Sequence, residues 1–439
     1  MRYPVPDTYP GGRYISPFLG RLLLCTVAFL SFASAAHARP APDLEAGKQA
    51  FMDNCARCHG PTGAGDGRDA ARMYPRPRVL SEGVFKFRTT ASGTPPTDED
   101  LYRTISEGLP GSRMPEFQRL AEDTRWHLID YIKTLSPAFK DQKLEPLNLG
   151  TDPGPAKANL KHGEELFKQL GCNACHGNVG RGDGPSAATL VDQWSKPIQA
   201  ADLTQGWKYR GGSAPKEILA RLMTGIDGTP MPSYAEAVSS AAEVWDLAYY
   251  VHSLQTAPEW KRDVKAVKAA GPLPVSADDP AWKGAPRTDA RLSGIYYQAG
   301  EILPATASAI SVQAVYNENE ITFRLSWHDP SKSEENLPDA VELALLADRR
   351  KKWQAGSLRS WPPAGADPSL VETTRWAAAR TDMNPAGGSY ADGEWTVVVK
   401  RHLPMAGERV PLVGFMVWDG GNGEQGRHRA ASPWLDLEL

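Results

Sequence analysis

A chain of 439 residues is too long for one ordinary core and implies two to four domains. With 41% hydrophobic and 23% charged residues the composition is globular, and 40 Gly with 37 Pro favour loop-rich domains over long helical bundles. A net charge of −3 excludes a nucleic-acid binder, whose phosphate partner demands a basic face.

At the N-terminus, Arg13 and Arg21 precede the apolar stretch Leu22–Phe32, which runs into small residues and Ala36-His37-Ala38. A charged region, a short apolar core and an A-x-A site are the anatomy of a secretory signal, so residues 1–38 are expected to be removed on export. A retained anchor is the competing reading, but a span needs about 20 apolar residues, and Leu22–Ala36 is shorter. Cys25 follows Leu24, where lipid attachment wants a small residue. Arg2, Arg13 and Arg21 against Asp7 give this segment +2 and leave −5 for the remainder. No later stretch reaches spanning length, since Asp246 and His252 interrupt Val244–Leu254. A periplasmic protein is expected, soluble or peripherally associated, with no integral membrane span after cleavage.

Asp43–Asn54 reads as an amphipathic helix with Leu44, Ala50 and Phe51 on one face. It runs into Cys55-Ala56-Arg57-Cys58-His59, and Lys161–Leu170 runs likewise, through Leu166, Phe167 and Leu170, into Cys172-Asn173-Ala174-Cys175-His176. C-x-x-C-H is the haem c attachment signature: two thiols on one helical turn add to the two haem vinyl groups, and the adjacent His lies under the iron. These motifs use every cysteine beyond the signal. Disulfides, a redox dithiol and a four-cysteine zinc site are the competing readings. None requires a His after both pairs.

The motifs belong to an internal repeat. A shift of 117 residues lays Cys55 on Cys172, His59 on His176, Gly63–Gly67 on Gly180–Gly184, Gly108 on Gly225 and Met114-Pro115 on Met231-Pro232. Met114 and Met231 each sit in a loop after the Gly and before a Pro, and a thioether suits the sixth position of an electron-transfer haem. The bland alternative is a core Met filling a gap, a role better suited to Met73 and Met223, which have no counterpart at this offset. Closing helices follow, striped by Trp126, Ile129, Ile132 and Leu135, and by Val244, Leu247, Ala248, Val251 and Leu254. Helix packing accounts for these stripes. Phe85-Lys86-Phe87-Arg88 and Trp207-Lys208-Tyr209-Arg210 recur at a slightly larger offset, with Arg88 and Arg210 suited either to haem propionates or to a solvated surface.

Both halves resemble class I cytochrome c domains, over residues 42–138 and 159–257 with a linker at 139–158. The resemblance implies two covalent haems c. Cys55 and Cys58 would attach one, with His59 and Met114 axial; Cys172 and Cys175 would attach the other, with His176 and Met231 axial.

After Glu259 the pattern changes. Residues 258–279, and Lys261–Asp279 above all, read as a linker, and alternation then replaces helical period. Val312, Ala314 and Tyr316 alternate, then Ile321, Phe323 and Leu325, across a hairpin-like turn at Asn317–Glu320. Glu394–Val399 and Val410–Trp418 are further strand candidates, so residues 280–439 are expected to form a β-sandwich. The fold class is therefore two small all-α domains followed by an all-β sandwich-like domain.

Val312–Asp329, Asp339-Ala340-Val341, Val417-Trp418-Asp419-Gly420 and Ala431-Ser432-Pro433-Trp434 resemble the haem-b-binding γ subunit of the ethylbenzene dehydrogenase and dimethylsulfide dehydrogenase group. In that family a Met and a Lys hold haem b. Here the nearest match to the Met site reads Gln354-Ala355-Gly356, and Arg429 stands in the place of the Lys. Arginine cannot give up its proton to ligate iron. No third haem is expected unless Met405, Met416, His402 or His428 substitutes, and each reads more simply as a core Met or a surface His.

The resemblances imply an electron-transfer protein rather than an enzyme. Its redox partners would include the catalytic subunit, and with it an iron–sulfur subunit, of a molybdenum oxidoreductase of the dimethyl sulfoxide reductase type. A dihaem peroxidase is the rival, opposed by two methionines that leave no open iron position. A carbohydrate-binding sandwich is another alternative, with Trp327, Trp353 and Trp361 as the platform; buried core tryptophans explain these residues more simply.

Overall fold

The computed structural model describes residues 39–140, 142–238, 240–298, 301–346, 358, 371–378, 387–403 and 411–439. The expected signal at 1–38, Trp353, Gln354–Gly356, Trp361 and Met405 lie outside these residues.

Eight helices carry the first half among the described residues: α1 (Leu44–Asn54), α2 (Ala56–His59), α3 (Asp98–Glu107), α4 (Glu122–Thr134), α5 (Leu160–Gln169), α6 (Asn173–His176), α7 (Pro215–Thr224) and α8 (Ala241–Ser253). Local chemistry starts them. The Asp43 side chain accepts from the Ala46 amide at 2.9 Å, and Asn159 from the His162 amide at 3.1 Å. Thr97 and Asp100 form a capping box at the head of α3.

In each half the opening helix crosses the closing one at a glycine. A Cβ on Gly47 would lie 2.1 Å from the His127 carbonyl oxygen, and one on Gly163 2.3 Å from that of Asp246. Only glycine lets these backbones approach so closely. Next to each crossing an aromatic pair closes the core: Phe51 with Tyr131 at 5.4 Å, Phe167 with Tyr250 at 5.6 Å. The buried face of α1 is Gly47, Ala50 and Phe51; Leu44, expected on that face, is exposed. On α4 the buried stripe is Leu128, Ile129 and Ile132, and Trp126 instead stacks on Tyr102 at 4.3 Å. On α8 Val244, Leu247, Ala248 and Val251 are buried as their spacing predicts. Residues 139–158 are held against this frame: Trp245 Nε1 donates to the Leu149 carbonyl at 3.0 Å, and the Tyr249 hydroxyl to Asp152 at 2.8 Å.

Strands carry the second half among the described residues: β1 (Asp263–Lys268), β2 (Thr288–Arg291), β3 (Ile295–Gln298), β4 (Glu301–Pro304), β5 (Ala309–Tyr316), β6 (Glu320–His328), β7 (Ala340–Leu346), β8 (Val371–Ala377), β9 (Gly388–Ala391), β10 (Glu394–His402), β11 (Leu412–Trp418), β12 (Ala430–Ala431) and β13 (Leu435–Glu438). The strand order is β8-β7-β11-β13-β1-β5-β6-β10-β9, with β12 on β11 and β2 on β5, while β3 and β4 form a separate hairpin. One correction concerns β1, which lies inside the stretch 258–279 expected to be a linker. It runs parallel to β13 through Asp263–Lys265 and parallel to β5 through Ala266–Lys268, and so joins two sheets. Its register is supplied by two distant strands, so its own sequence carries little alternation.

The two sheets enclose one core, in which Ile310, Phe323 and Leu325 face Val341, Leu343 and Phe415. β11 is buried on both faces: Val413, Phe415 and Val417 join this core, while Leu412, Met416 and Trp418 join a second cluster with Leu346 and Trp434. Among the described residues no helix is long and apolar enough to cross a membrane.

Candidate functional site

In each C-x-x-C-H motif the first Cys stands at the N-cap of a short helix, α2 or α6, that holds the other four residues and follows directly on an amphipathic helix. The His59 Nδ1 lies 2.9 Å from the Arg78 carbonyl, and the His176 Nδ1 2.9 Å from the Ala201 carbonyl. A carbonyl at Nδ1 fixes the proton there and leaves Nε2 as the ring's lone-pair donor. Burial holds both imidazoles below the ordinary histidine pKa, which favours the neutral, ligating form. The four cysteines of the motifs form no disulfide. Burial pushes the Cys55 thiol up to about 12 and the Cys172 thiol up to about 11. A redox dithiol requires the opposite shift. Among the described residues no cysteine belongs to a group of three or more side chains placed to hold a metal, so the zinc reading has no ligand set.

The methionine loops are built alike. Gly108 and Gly225 end α3 and α7 with φ of +68° and +65°. A Cβ on either would lie 2.6 to 2.8 Å from the backbone of the Met-Pro segment that folds against it. The Leu109 amide donates to the Met114 carbonyl at 3.0 Å, and the Ile226 amide to the Met231 carbonyl at 3.1 Å. Ser112 Oγ accepts from the Met114 amide and Thr229 Oγ1 from the Met231 amide, at 3.1 and 3.2 Å. Both side chains pack, partly buried, against the core of their own domain. Met223 packs in the second core, as expected of a gap-filling Met, whereas Met73 lines an open cleft with Ser112, Arg113 and Pro115.

Between the two helical domains lies a seam of cations, Arg88 buried and the others partly buried. Burial lowers the pKa of Arg78, Lys86, Arg88, Arg210 and Arg221, with Lys86 brought to about 8 by burial and by the charges of Arg78 and Arg210. Arg78 stacks over the Trp194 ring of the second domain at 5.0 Å. Its Nη1, and the Nε of Arg210, are buried with no hydrogen-bond partner. Donors orphaned in this way call for an anion. Haem propionates are anions, so this donor set fits the prosthetic group that the motifs imply.

Arg88 has a different fate. It is 0% exposed. Its guanidinium donates to the Phe85, Ala91 and Thr224 carbonyls and pairs with Asp227 at 2.7 Å. Asp227 also accepts from the Ser92 hydroxyl and the Gly93 amide, at 3.1 and 3.0 Å. Arg88 therefore ties the first domain to the loop that carries Met231, and neither the propionate role nor the surface role describes it. The sequence reading missed Asp227, whose only signal is its place between Gly225 and Met231.

Residues 44–136 and 160–255 both match the cytochrome c family model. The two helical domains are therefore cytochrome c domains, of a family that binds haem covalently and works in electron transfer. The CcoP subunit of a cbb3-type cytochrome c oxidase from Azospirillum sp. is 25% identical over 221 residues, 47% of this chain and 61% of the relative. A putative respiratory nitrate reductase heme subunit from Haloferax mediterranei is 23% identical over 181 residues, 35% of this chain and 64% of the relative. The chain thus spans about three fifths of the length of these curated relatives. A structure of the Kuenenia stuttgartiensis reducing HAO-like protein complex shares 42% identity, covering 50% of this chain and 100% of the other, with a TM-score of 0.47.

In the β domain, Trp327 is 2% exposed and packs with Trp376 and Trp395 at ring distances of 6.2 and 6.4 Å, so it is a core residue and not a sugar platform. Met416 is fully buried in β11, His428 is buried, and His402 is exposed. Arg429 donates to the Gly426 and Leu358 carbonyls at 3.3 and 3.1 Å and lies over the Trp418 ring at 5.3 Å.

Proposed function

We propose that the chain is an exported, periplasmic dihaem cytochrome c that relays electrons between a redox enzyme and a second carrier. One haem would be attached through Cys55 and Cys58, with His59 and Met114 as axial ligands. The other would be attached through Cys172 and Cys175, with His176 and Met231. Held between an imidazole and a thioether, haem iron supplies reversible one-electron chemistry at raised potential.

The protein's part is positional. The Arg78 and Ala201 carbonyls orient the two imidazoles. Gly108 and Gly225 let the methionine loops close. The cations of the seam stand between the two domains, where the unpartnered Arg78 Nη1 and Arg210 Nε would donate to propionates, and this donor set is the observation that carries the relay reading.

For the partner we propose a molybdenum oxidoreductase of the dimethyl sulfoxide reductase type, with its iron–sulfur subunit. The support is the sequence resemblance of four short segments to the γ subunit of that group: Val312–Asp329, over β5 and β6, Asp339–Val341 at the start of β7, Val417–Gly420 at the end of β11, and Ala431–Trp434 after β12.

A pyridine haemochrome assay on the purified protein tests the first reading, with two haems c and no haem b expected per chain. Met114→Ala and Met231→Ala should each lower one midpoint potential by on the order of 0.1 V, a fraction of the ~0.8 V that axial ligands command. A single haem, or potentials unmoved by either substitution, defeats the proposal. Export is checked by cell fractionation and by the N-terminal residue of the processed protein, expected to be Arg39.

A further inference from the structure

We propose that Asp329, Asp339 and Asp419 form a calcium site that closes one end of the β-sandwich. The fold brings them together from three strand ends: Asp329 follows β6, Asp339 precedes β7, and Asp419 follows β11. β7 and β11 are antiparallel neighbours with Ala340 opposite Trp418, so Asp339 and Asp419 leave the same rung. β6 belongs to the facing sheet, and its last residue is the one before Asp329. One carboxylate oxygen from each residue lies within 4.8 Å of the others.

All three are buried, with exposures of 1, 0 and 2%. Their hydrogen-bond donors are uncharged. Asp339 accepts from the Gly420 and Ser333 amides and from Trp395 Nε1, at 2.8, 2.7 and 3.0 Å. Asp329 Oδ1 accepts from the Ser331 amide at 3.1 Å, and Asp419 Oδ1 from the Asn422 amide at 3.0 Å. Asp329 Oδ2 is buried with no hydrogen-bond partner. Glu424 adds a fourth buried carboxylate nearby, already engaged by the Thr306 and Asp419 amides.

Carboxylates buried together without a counter-charge are unstable unless they take up protons or a cation. The pressure is visible in Asp329, whose pKa burial and the charges of Asp419 and Asp339 push up to about 9. Amides ease part of this charge, but no donor reaches the Asp329 Oδ2. An all-oxygen, all-carboxylate donor set selects a hard cation over zinc or copper. One ion can bridge oxygens this close together; between the two common hard cations, calcium exchanges its waters for a dry carboxylate cage, whereas magnesium holds its waters more strongly. Calcium would cancel two of the three charges and join the facing sheets where no strand pairing does.

The test uses the full, haem-loaded chain, treated with a chelator and titrated with calcium chloride in a calorimeter, with Asp329→Asn in parallel. One calcium per wild-type chain, a higher unfolding temperature with calcium, and loss of both in Asp329→Asn with the haem spectrum unchanged are expected. Absence of calcium binding to the wild type, or a variant that binds as the wild type does, overturns the site. Preferential binding of magnesium overturns the calcium assignment. Should Asp329→Asn fail to fold, Asp419→Asn takes its place, and the wild-type titration alone remains decisive.

Discussion

The two cytochrome c domains repeat one frame and then use one matching tetrapeptide differently. In both, a glycine crossing, an aromatic pair, a carbonyl behind the haem-motif histidine and a bonded methionine loop recur. In the first domain Phe85-Lys86-Phe87-Arg88 faces the second: Arg88 pairs with Asp227, and Arg221 stacks over Phe87 at 5.8 Å. In the second domain the matching stretch divides: Arg210 joins the seam, whereas Trp207 and Lys208 face the β domain, Lys208 donating to Ser308 at 3.2 Å and Trp207 packing edge-on against Trp260 at 4.9 Å. Each module thus holds the next with the same stretch of chain. Duplication preserved the internal frame, and the surface chemistry turned the copies into a head-to-tail series.

That comparison can be broken at its strongest joint first. Arg88→Met leaves Asp227 without its cation in a mostly buried setting, where removal of one partner costs about 3–5 kcal/mol. Denaturant unfolding should show this loss, with the two cytochrome domains separating into distinct transitions. Lys208→Met removes a charge-assisted hydrogen bond to Ser308 and should cost about 1.5–3 kcal/mol, read calorimetrically as looser attachment of the β domain.

Acid gives a smaller effect at the second joint. His328, 3.7 Å from Asp202, is held below the ordinary histidine pKa chiefly by burial. The folded chain therefore resists a proton that the unfolded chain accepts near pH 6.5. Stability should fall as pH drops below about 6.5 and be insensitive to this group above it. In a His328→Gln variant, unfolding curves between pH 5 and 7 should flatten.

Much of the frame was legible because its signals are local. The stripes of α4 and α8, the two C-x-x-C-H motifs and the β5–β6 hairpin with its Asn317–Glu320 turn are short-range patterns. Helices α3 and α7 escaped notice although Thr97 with Asp100, Pro215, Gly108 and Gly225 mark their ends; neither helix carries a haem-attachment residue. Strand β1 was hidden because both its neighbours are distant in the chain. Arg88 was misjudged for a related reason, since Asp227 lies 139 residues further on. The aspartate cluster has the same character: a span of 90 residues separates its first member from its last, and only the strand ends bring them together.

Strand β1 bears on how the protein can be cut. Its two halves pair with different sheets, so it is the stitch on which both hems depend. A fragment beginning at Pro280 would expose unpaired backbone along β13 and along Ala314–Tyr316 of β5, and raw edges of that kind invite aggregation. A C-terminal piece meant to stand alone must therefore start upstream of Asp263, carrying with it the thread that leaves the second cytochrome domain.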